Sequence, residues 1–318
     1  MSNVRVRPGG GGGLDGNPPG SRRWRQHLEG YLFISPWLLG TALFTLGPLL
    51  AVLALAFSRW NLFTAPKFIG TANFIKLSHD PLFYKSILNT LYFTALSVPL
   101  GLAAALGLAL LVDHKIRGIT LFRTVFFLPN IVAGVATLLL WKWLLDPNFG
   151  LINEVLDGLY VTELLRWIGL GRPQWLASQG WAMPAMVLMG LWGVGGSMMM
   201  FLAALQSVPK ELLEAAQLDG AGVWQRFRYV TLPFLTPTVF FLAVVGVIGS
   251  FQTFNQAYIM TRGGPANATL FYCLYLFQNA FETFNMGYAC AMAVVLFVAV
   301  LIVTLVQVWG SRKWVFYQ

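Results

Sequence analysis

Charge is scarce in this chain. Only 10% of its 318 residues are Asp, Glu, Lys or Arg, against about 25% in an ordinary soluble domain. With 57% of the residues hydrophobic, a soluble globule could not hide the apolar surface, so the composition calls for a bilayer as solvent. Cysteine is nearly absent. Cys273 and Cys290 lie in or beside apolar runs, make no metal-ligand spacing and read as packed thiols. The three histidines, His27, His79 and His114, stand far apart in tails and loops and read as solvent-exposed. No Ser/His/Asp grouping is visible, and neither a metal nor a cofactor is expected. No lysine follows a glycine, which removes the GxxxxGK[ST] phosphate cradle. The chain is therefore read as a non-enzyme that does not hydrolyse ATP by itself. The apolar runs contain no Asp, Glu or His, so the buried proton and sodium relays of ion-driven carriers are missing. A carrier holding sodium through unwound backbone stays open, without a sign of it here. Energy for uphill movement would have to arrive from a partner.

What the chain has is length of apolar sequence. A spanning helix needs about 20 mostly apolar residues, and six segments qualify: about 31–57, 88–112, 125–145, 181–205, 236–260 and 286–309. The expected fold is all-α, a polytopic membrane protein with six transmembrane helices occupying 26–318. Residues 1–25 are Gly/Pro-rich and basic, lack an apolar leader core, and read as a disordered cytoplasmic tail. The alternative is contact of Arg22, Arg23 and Arg25 with lipid headgroups. With the N-terminus inside, 13 Lys and Arg fall on the cytoplasmic side and 7 outside, which places both termini in the cytoplasm. Four of the outside cations, Arg59, Lys67, Lys76 and Lys85, crowd one loop. The net charge of +9 does not mark a nucleic-acid binder, because the cations sit in short loops between spans. Within the loop at about 146–180, Leu151, Ile152, Val155, Leu156 and Leu159 recur at helical spacing. Either a short amphipathic helix at the outer membrane face or a solvated connector fits.

One segment, 207–233, interrupts the apolar sequence with charge. Ser207 or the residue after it can cap a helix, Pro209 suits the first turn, and KELLEAAQLD (210–219) is made of helix formers. Gly220 and Gly222 are natural stops, and a second short helix is expected from Val223 to Tyr229, with Pro233 ahead of the next span. Glu211 and Glu214 share one side of the first helix, while Ala215 and Ala216 let another surface approach closely. The segment reads as a plug for a socket on another protein.

Here a resemblance is specific. Glu214, Ala215 and Ala216, then Gly220, then Val230, Leu232 and Pro233 follow the spacing EAA-x3-G-x9-I-x-LP, with Val in place of Ile. This resembles the signature of permease subunits of bacterial binding-protein-dependent ABC importers. YLFISPWLLG (31–40), NTLYFTALSVPL (89–100), FRTVFFLPNIVAGVATLLLWKWLLDPNFGLIN (122–153), TRGGPANAT (261–269) and GYACAMAVVLF (287–297) look like the sugar branch, in particular the maltose-type and glycerol-phosphate-type first permease. The resemblance covers about 31–309. It implies the type I importer architecture in a bacterial inner membrane. It also implies a heterodimer with a second permease subunit, a cytoplasmic ABC ATPase dimer and an extracytoplasmic solute-binding protein. By the same resemblance the helix at 209–219 is a coupling helix seated in an ATPase cleft, with Glu214 bonding a basic residue there and Gly220 permitting the turn.

Cargo contacts are sought where spans carry neutral polar groups. Gly246, Ser250 and Thr253 fall on one side of the fifth span at i, i+4 and i+7, followed by Asn255. With a rise of 1.5 Å per residue they lie about 21–30 Å from the span's inner end. The fourth span adds Trp192, Gly193, Gly196 and Ser197. Hydroxyls and amides suit a sugar, with Phe254 or Trp192 stacking on its ring. The alternative is helix–helix contact, which the same residue types favour. Met198, Met199 and Met200 read as packing residues. The expected cargo is a carbohydrate. Glycerol-3-phosphate or another small polar solute stays open, and a channel or a membrane-embedded enzyme is the reading from a different class.

Overall fold

The computed structural model describes residues 19–113, 118–132 and 134–316, with 19–29 as backbone. The expected tail thus falls largely outside the described residues, and helix already begins at Pro19. The chain forms two units, Met1–Ala54 and Leu55–Gln318. In the first, α1 (Pro19–Thr41) passes through a π-turn at Ala42–Leu46 into α2 (Gly47–Ala56). Pro48 has no N–H for the carbonyl four residues back, and the Gly47 N–H reaches the Ala42 carbonyl instead.

In the second unit a two-residue ribbon follows α2, with β1 (Ser58–Arg59) antiparallel to β2 (Lys67–Phe68). α3 (Ala72–Ser78) is tied to it by Asn73, whose amide donates to the carbonyls of Ala56 at 2.8 Å and Ser58 at 3.0 Å. The central helix, α4, runs 32 residues from Pro81 to Val112. Pro81 starts it without wasting an N–H, and Asp80 caps it by accepting from the Leu82 N–H at 2.9 Å. The second Asp80 oxygen accepts from the phenols of Tyr275 and Tyr288, each at 2.5 Å. Burial pushes this carboxyl up, but the two phenols and the N–H groups of Leu82 and Phe83 outweigh it and hold it below its ordinary value. At the other end of α4 the Arg123 guanidinium donates to the Val112 carbonyl at 2.8 Å, covering an acceptor the helix leaves open.

The chain continues through α5 (Ile119–Phe127), a 3-10 turn at Leu128–Asn130 and α6 (Gly134–Leu144). The 146–180 stretch holds two short helices, α7 (Leu151–Gly158) and α8 (Val161–Trp167). Fully buried Asn153 centres them. It donates to the carbonyls of Pro147 and Pro173 and accepts from the Trp175 indole at 2.8 Å. Then come α9 (Gln179–Trp192), α10 (Gly195–Gln206), α11 (Lys210–Leu218), α12 (Val223–Arg226), α13 (Leu232–Phe251), α14 (Asn255–Met260), α15 (Tyr272–Phe277) and α16 (Met286–Ser311).

The fold is all-α as expected, and the spans differ from the expectation in detail. Among the described residues four helices are long and apolar enough to cross alone: Gly30–Ala56, Pro81–Val112, Val223–Phe251 and Met286–Ser311. The segments expected at 125–145 and 181–205 are bent pairs, α5 with α6 and α9 with α10, the latter kinked by 49°. Counting each pair as one span gives six. The fifth span starts earlier and stops earlier than the apolar pattern suggested. α12 runs without a break through a π-turn at Phe227–Thr231 into α13, so the expected second loop helix is the span's own first turns. Pro233 again lies just beyond a π-turn, here with the Leu232 N–H bonded to the Phe227 carbonyl. The helix closes at Phe251, and Asn255 begins a separate helix. Lipid tails are as apolar as leucine, so helices in a bilayer are held by close packing and hydrogen bonds rather than by burial alone. α4, α10 and α13 pack on Ala105, Ala109, Met198, Phe201 and Leu235, all fully buried. Met198 packs as read, whereas Met199 and Met200 are exposed.

Candidate functional site

The charged segment folds as a helix, a glycine turn and a second helix. α11 covers Lys210–Leu218, with Glu211 in its first turn. Pro209 precedes the helix in extended backbone and Ser207 bonds back to the Ala204 carbonyl at 2.8 Å, so Ser207 finishes α10 rather than capping α11. Gly220 has φ +82. The Ala221 N–H bonds the Ala216 carbonyl at 2.9 Å and the Asp219 N–H bonds the Ala215 carbonyl at 3.0 Å. This is the six-to-one closure that needs a left-handed residue after the helix. No atom lies within 4 Å of the place a β-carbon on Gly220 would take, so backbone conformation alone demands the glycine.

Two bonds, to which the sequence reading assigned no role, fix the second helix: one closes its start and one ties it to α11. Gln225 accepts from the Gly222 N–H at 2.7 Å, and Arg226 donates to the Gln217 amide oxygen at 2.8 Å. Glu211, Glu214 and Ala215 are exposed on α11, and Ala216 is half-buried. Leu218, Val223 and Trp224, at 89%, 76% and 71% exposure, stand around the glycine turn. Leu232 and Pro233 are half-buried at the start of α13. The loop thus offers carboxylates, small residues and a bare apolar tip on one rigid support.

A groove of about 280 Å³ lies between α4, the α9–α10 bend and α13. Glycines make it: Gly101, Gly190, Gly193, Gly246 and Gly249 line it, with Ser97, Ser197, Ser250 and Thr253 as polar groups. Gly246 lets α13 meet α4, since a β-carbon there would sit 3.4 Å from Val98. Ser250 is buried, and its hydroxyl donates to Thr94 at 2.9 Å and lies 2.9 Å from the Val247 carbonyl. That hydroxyl is engaged in joining α13 to α4. Thr253 reaches the groove from beyond the end of α13 rather than from one helical face with Gly246 and Ser250.

The other candidates lie elsewhere. Trp192 packs edge-on against Trp141, centroids 5.9 Å apart, and stays exposed. Gly196 sits at the α9–α10 bend. Asn255 is exposed at the start of α14. Phe254 stacks on Tyr258 and packs against Phe277, so its ring is taken by protein neighbours. The groove gathers Gly246, Ser250 and Thr253, and Trp192, Gly196 and Asn255 are not part of its lining.

The two broken spans meet at Asn130 and Gly195, which the reading also passed over. A β-carbon on Gly195 would strike the Phe126 carbonyl oxygen and the Asn130 side chain. With its amide oriented so that both neighbours are satisfied, Asn130 donates to the Gly193 carbonyl and accepts from the Gly196 N–H, both at 2.9 Å. One side chain thus covers backbone groups that the bend exposes, which in a bilayer would otherwise cost several kcal/mol each. Among the described residues no cluster of His, Cys, Asp and Glu could hold a metal.

Comparison with known proteins places this architecture. Residues 97–315 match the model of the binding-protein-dependent transport system inner membrane component. The probable ABC transporter permease protein YesP of Bacillus subtilis (strain 168) is 40% identical over 312 residues, 97% of this chain and 98% of that one. The sn-glycerol-3-phosphate transport system permease protein UgpA of Yersinia pseudotuberculosis serotype I (strain IP32953) is 36% identical, covering 87% of this chain and 92% of that one. The lactose transport system permease protein LacF of Rhizobium radiobacter is 33% identical, covering 90% and 95%. The fold matches the crystal structure of a bacterial ABC transporter involved in the import of the acidic polysaccharide alginate, with a TM-score of 0.75 at 24% identity over 92% of this chain and 99% of that one. The chain belongs to the family of binding-protein-dependent transport system inner membrane components, and is a multi-pass membrane permease subunit.

Proposed function

We propose that this permease is part of an ATP-driven ABC importer in a bacterial inner membrane, that both its termini are cytoplasmic, and that it moves a carbohydrate delivered by a solute-binding protein. Two observations carry the cargo reading. A relative named for lactose aligns over nine-tenths of the chain, and the groove lining is neutral, with hydroxyls and no charged residue. Glycerol-3-phosphate is the second reading, favoured by the 36% identity to a permease named for it. A phosphate in this groove would need its counter-charge from another chain.

In this proposal Glu211, Glu214, Ala215, Ala216 and Gly220 form the surface that seats in a separate ATPase, and Leu232 and Pro233 join it rigidly to the fifth span. A second permease completes a heterodimer. Gly246, Ser250 and Thr253 border the path of the cargo, with Trp192, Gly196 and Asn255 at its margins. The continuous helix from Val223 to Phe251 supports such coupling, because a push on the loop is a push on the groove wall. Reversing a two-state equilibrium from 1:99 to 99:1 takes about 5.5 kcal/mol. Nucleotide and loaded binding protein together must supply a bias of that order.

The test is uptake by the reconstituted complex against labelled lactose, other sugars and glycerol-3-phosphate. ATP-dependent uptake of a sugar is the expected result. Uptake of glycerol-3-phosphate alone would transfer the reading to the second cargo, and cargo flux without any ATPase would replace it with a channel. A Leu218→Cys variant labelled by a membrane-impermeant reagent only in inside-out vesicles is the expected outcome for the orientation.

A further inference from the structure

The crowd of cations between the first two spans remains unexplained by transport. Arg59 and Lys67 are direct partners in the β1–β2 register. Residues opposite each other in an antiparallel pair share one face, and like charges so placed repel. Among the described residues neither forms a salt bridge. Lys76 on α3 stands 4.6 Å over the ring of Tyr288 and forms none either. The Asp80 carboxylate beside Tyr288 is already taken by two phenols and the start of α4.

Arg59 and Lys76 border a pocket of about 210 Å³ whose other lining includes Trp60, Asn73, Asn285 and Tyr288. Its walls are fixed. Asn73 ties α3 to the end of α2, and the Gly287 N–H bonds the Trp60 carbonyl at 3.2 Å. A β-carbon on Gly287 would collide with the Ser58 carbonyl oxygen, so α16 meets the ribbon backbone to backbone. The pocket also has a definite depth. One apolar span ends at Ala56, another begins at Pro81 and a third at Met286, and all three ends are bonded to the elements around it. It therefore lies where hydrocarbon gives way to headgroups, flanked by Trp and Tyr as at membrane interfaces. Phe63, Phe68 and Ile75, at 75%, 79% and 58% exposure, are bare apolar side chains in the same stretch between the two spans.

We propose that this pocket binds the phosphate of an anionic phospholipid, with Arg59 and Lys76 as its counter-charges, Lys67 adding field from the facing strand, and the acyl chains staying in the surrounding bilayer. The site is smaller than the roughly 300–1,000 Å³ of drug-sized pockets, which suits a headgroup whose chains stay outside. Guanidinium and ammonium groups recognise phosphate oxygens.

The experiment is equilibrium binding to the purified, delipidated full chain in non-ionic detergent, using radiolabelled short-chain phosphatidylglycerol, with matched diacylglycerol and inorganic phosphate as competitors. Phosphatidylglycerol should bind saturably, and each competitor should be at least about tenfold weaker, because one lacks the phosphate and the other the chains. The Arg59→Gln/Lys76→Gln variant should lose at least about tenfold in affinity, and Asn285→Asp, which adds a negative charge to the lining, should weaken binding in the same direction. Lys85→Gln, a cation on α4 outside this pocket, should leave binding unchanged and controls for general surface charge. Unchanged binding in a monodisperse double variant overturns the proposal, as does diacylglycerol competing equally. Inorganic phosphate competing equally overturns the lipid assignment in favour of a soluble anion.

Discussion

Gly220 and Gly195 are both glycines for reasons that could hardly differ more. Gly220 sits at φ +82 in open space. Gly195 has ordinary helical surroundings but no room, because the backbone of Phe126 fills the place of its β-carbon. The first serves a turn whose outer side is open. The second serves a crossing of two bent spans inside the bilayer. A glycine in the projecting loop is therefore a matter of dihedral angle, and a glycine at the crossing is a matter of volume. The same substitution should fail in different ways at the two places.

The largest effect is expected from Gly195→Ala. Overfilling a packed site costs about 1–3 kcal/mol, and more where the obstacle is backbone that cannot rotate away. The variant should give several-fold less monodisperse protein after extraction, with the remainder unfolding at lower temperature. Gly220→Ala meets nothing and should extract like the parent, with about 1–2 kcal/mol of strain confined to the turn. Equal yields for both variants would erase the contrast.

Next in size is Gly220→Asp, read by transport instead of yield. The side chain projects into solvent on the free chain, so the protein should reach the membrane in normal amount. Uptake in the assembled importer should be lost because a charge now stands on the surface proposed to seat in the ATPase. Normal uptake at matched expression would remove the coupling role from this turn. Glu214→Ala should be milder, since Glu211 and the packing of α11 remain.

These contrasts also mark how far the sequence could be read. The loop was legible nearly residue by residue. KELLEAAQLD was expected to be helical over 210–219, and α11 covers Lys210–Leu218. Helix formers, a glycine stop and proline at fixed spacing are local signals, and the loop is a locally determined structure. The span count was legible from apolar runs for the same reason. The breaks were not. An apolar run reads as one straight helix unless something marks its interruption, and what sustains the bend after Trp192 is the Asn130 amide, more than 60 residues earlier in the chain. Likewise Ser250 reads as a cargo contact, and no local signal announces that its hydroxyl also donates to Thr94 in another span. Polar residues in a span carry the same letters whether they face cargo or a neighbouring helix. Pro233 read as a boundary because proline interrupts helices in isolation, but a π-turn absorbs its missing donor and the helix runs on.

Asn130→Leu tests the crossing without adding volume at Gly195. It removes the donor to the Gly193 carbonyl and the acceptor for the Gly196 N–H. A buried backbone group left unpaired costs about 1–3 kcal/mol. Melting in detergent should shift downward, less than for Gly195→Ala, and Asn130→Gln should not restore it, because the longer side chain cannot place its amide at both distances. An unchanged melting temperature would mean that the bend is held by packing alone.

The smallest effect belongs to the loop again. Among the described residues the side-chain hydrogen bond joining α11 to the fifth span's first turn is that from Arg226 to Gln217, and it is largely open to solvent. A hydrogen bond of this kind contributes about 0.5–1.5 kcal/mol net, at the lower end when water can replace either partner. Arg226→Ala and Gln217→Ala should each lower uptake by about twofold or less. The double variant should be no worse than the poorer single one, since the second change removes a partner already idle. If the two losses multiply instead, each residue meets the partner protein separately, and the clamp between the loop helices is not what transmits the push to the groove.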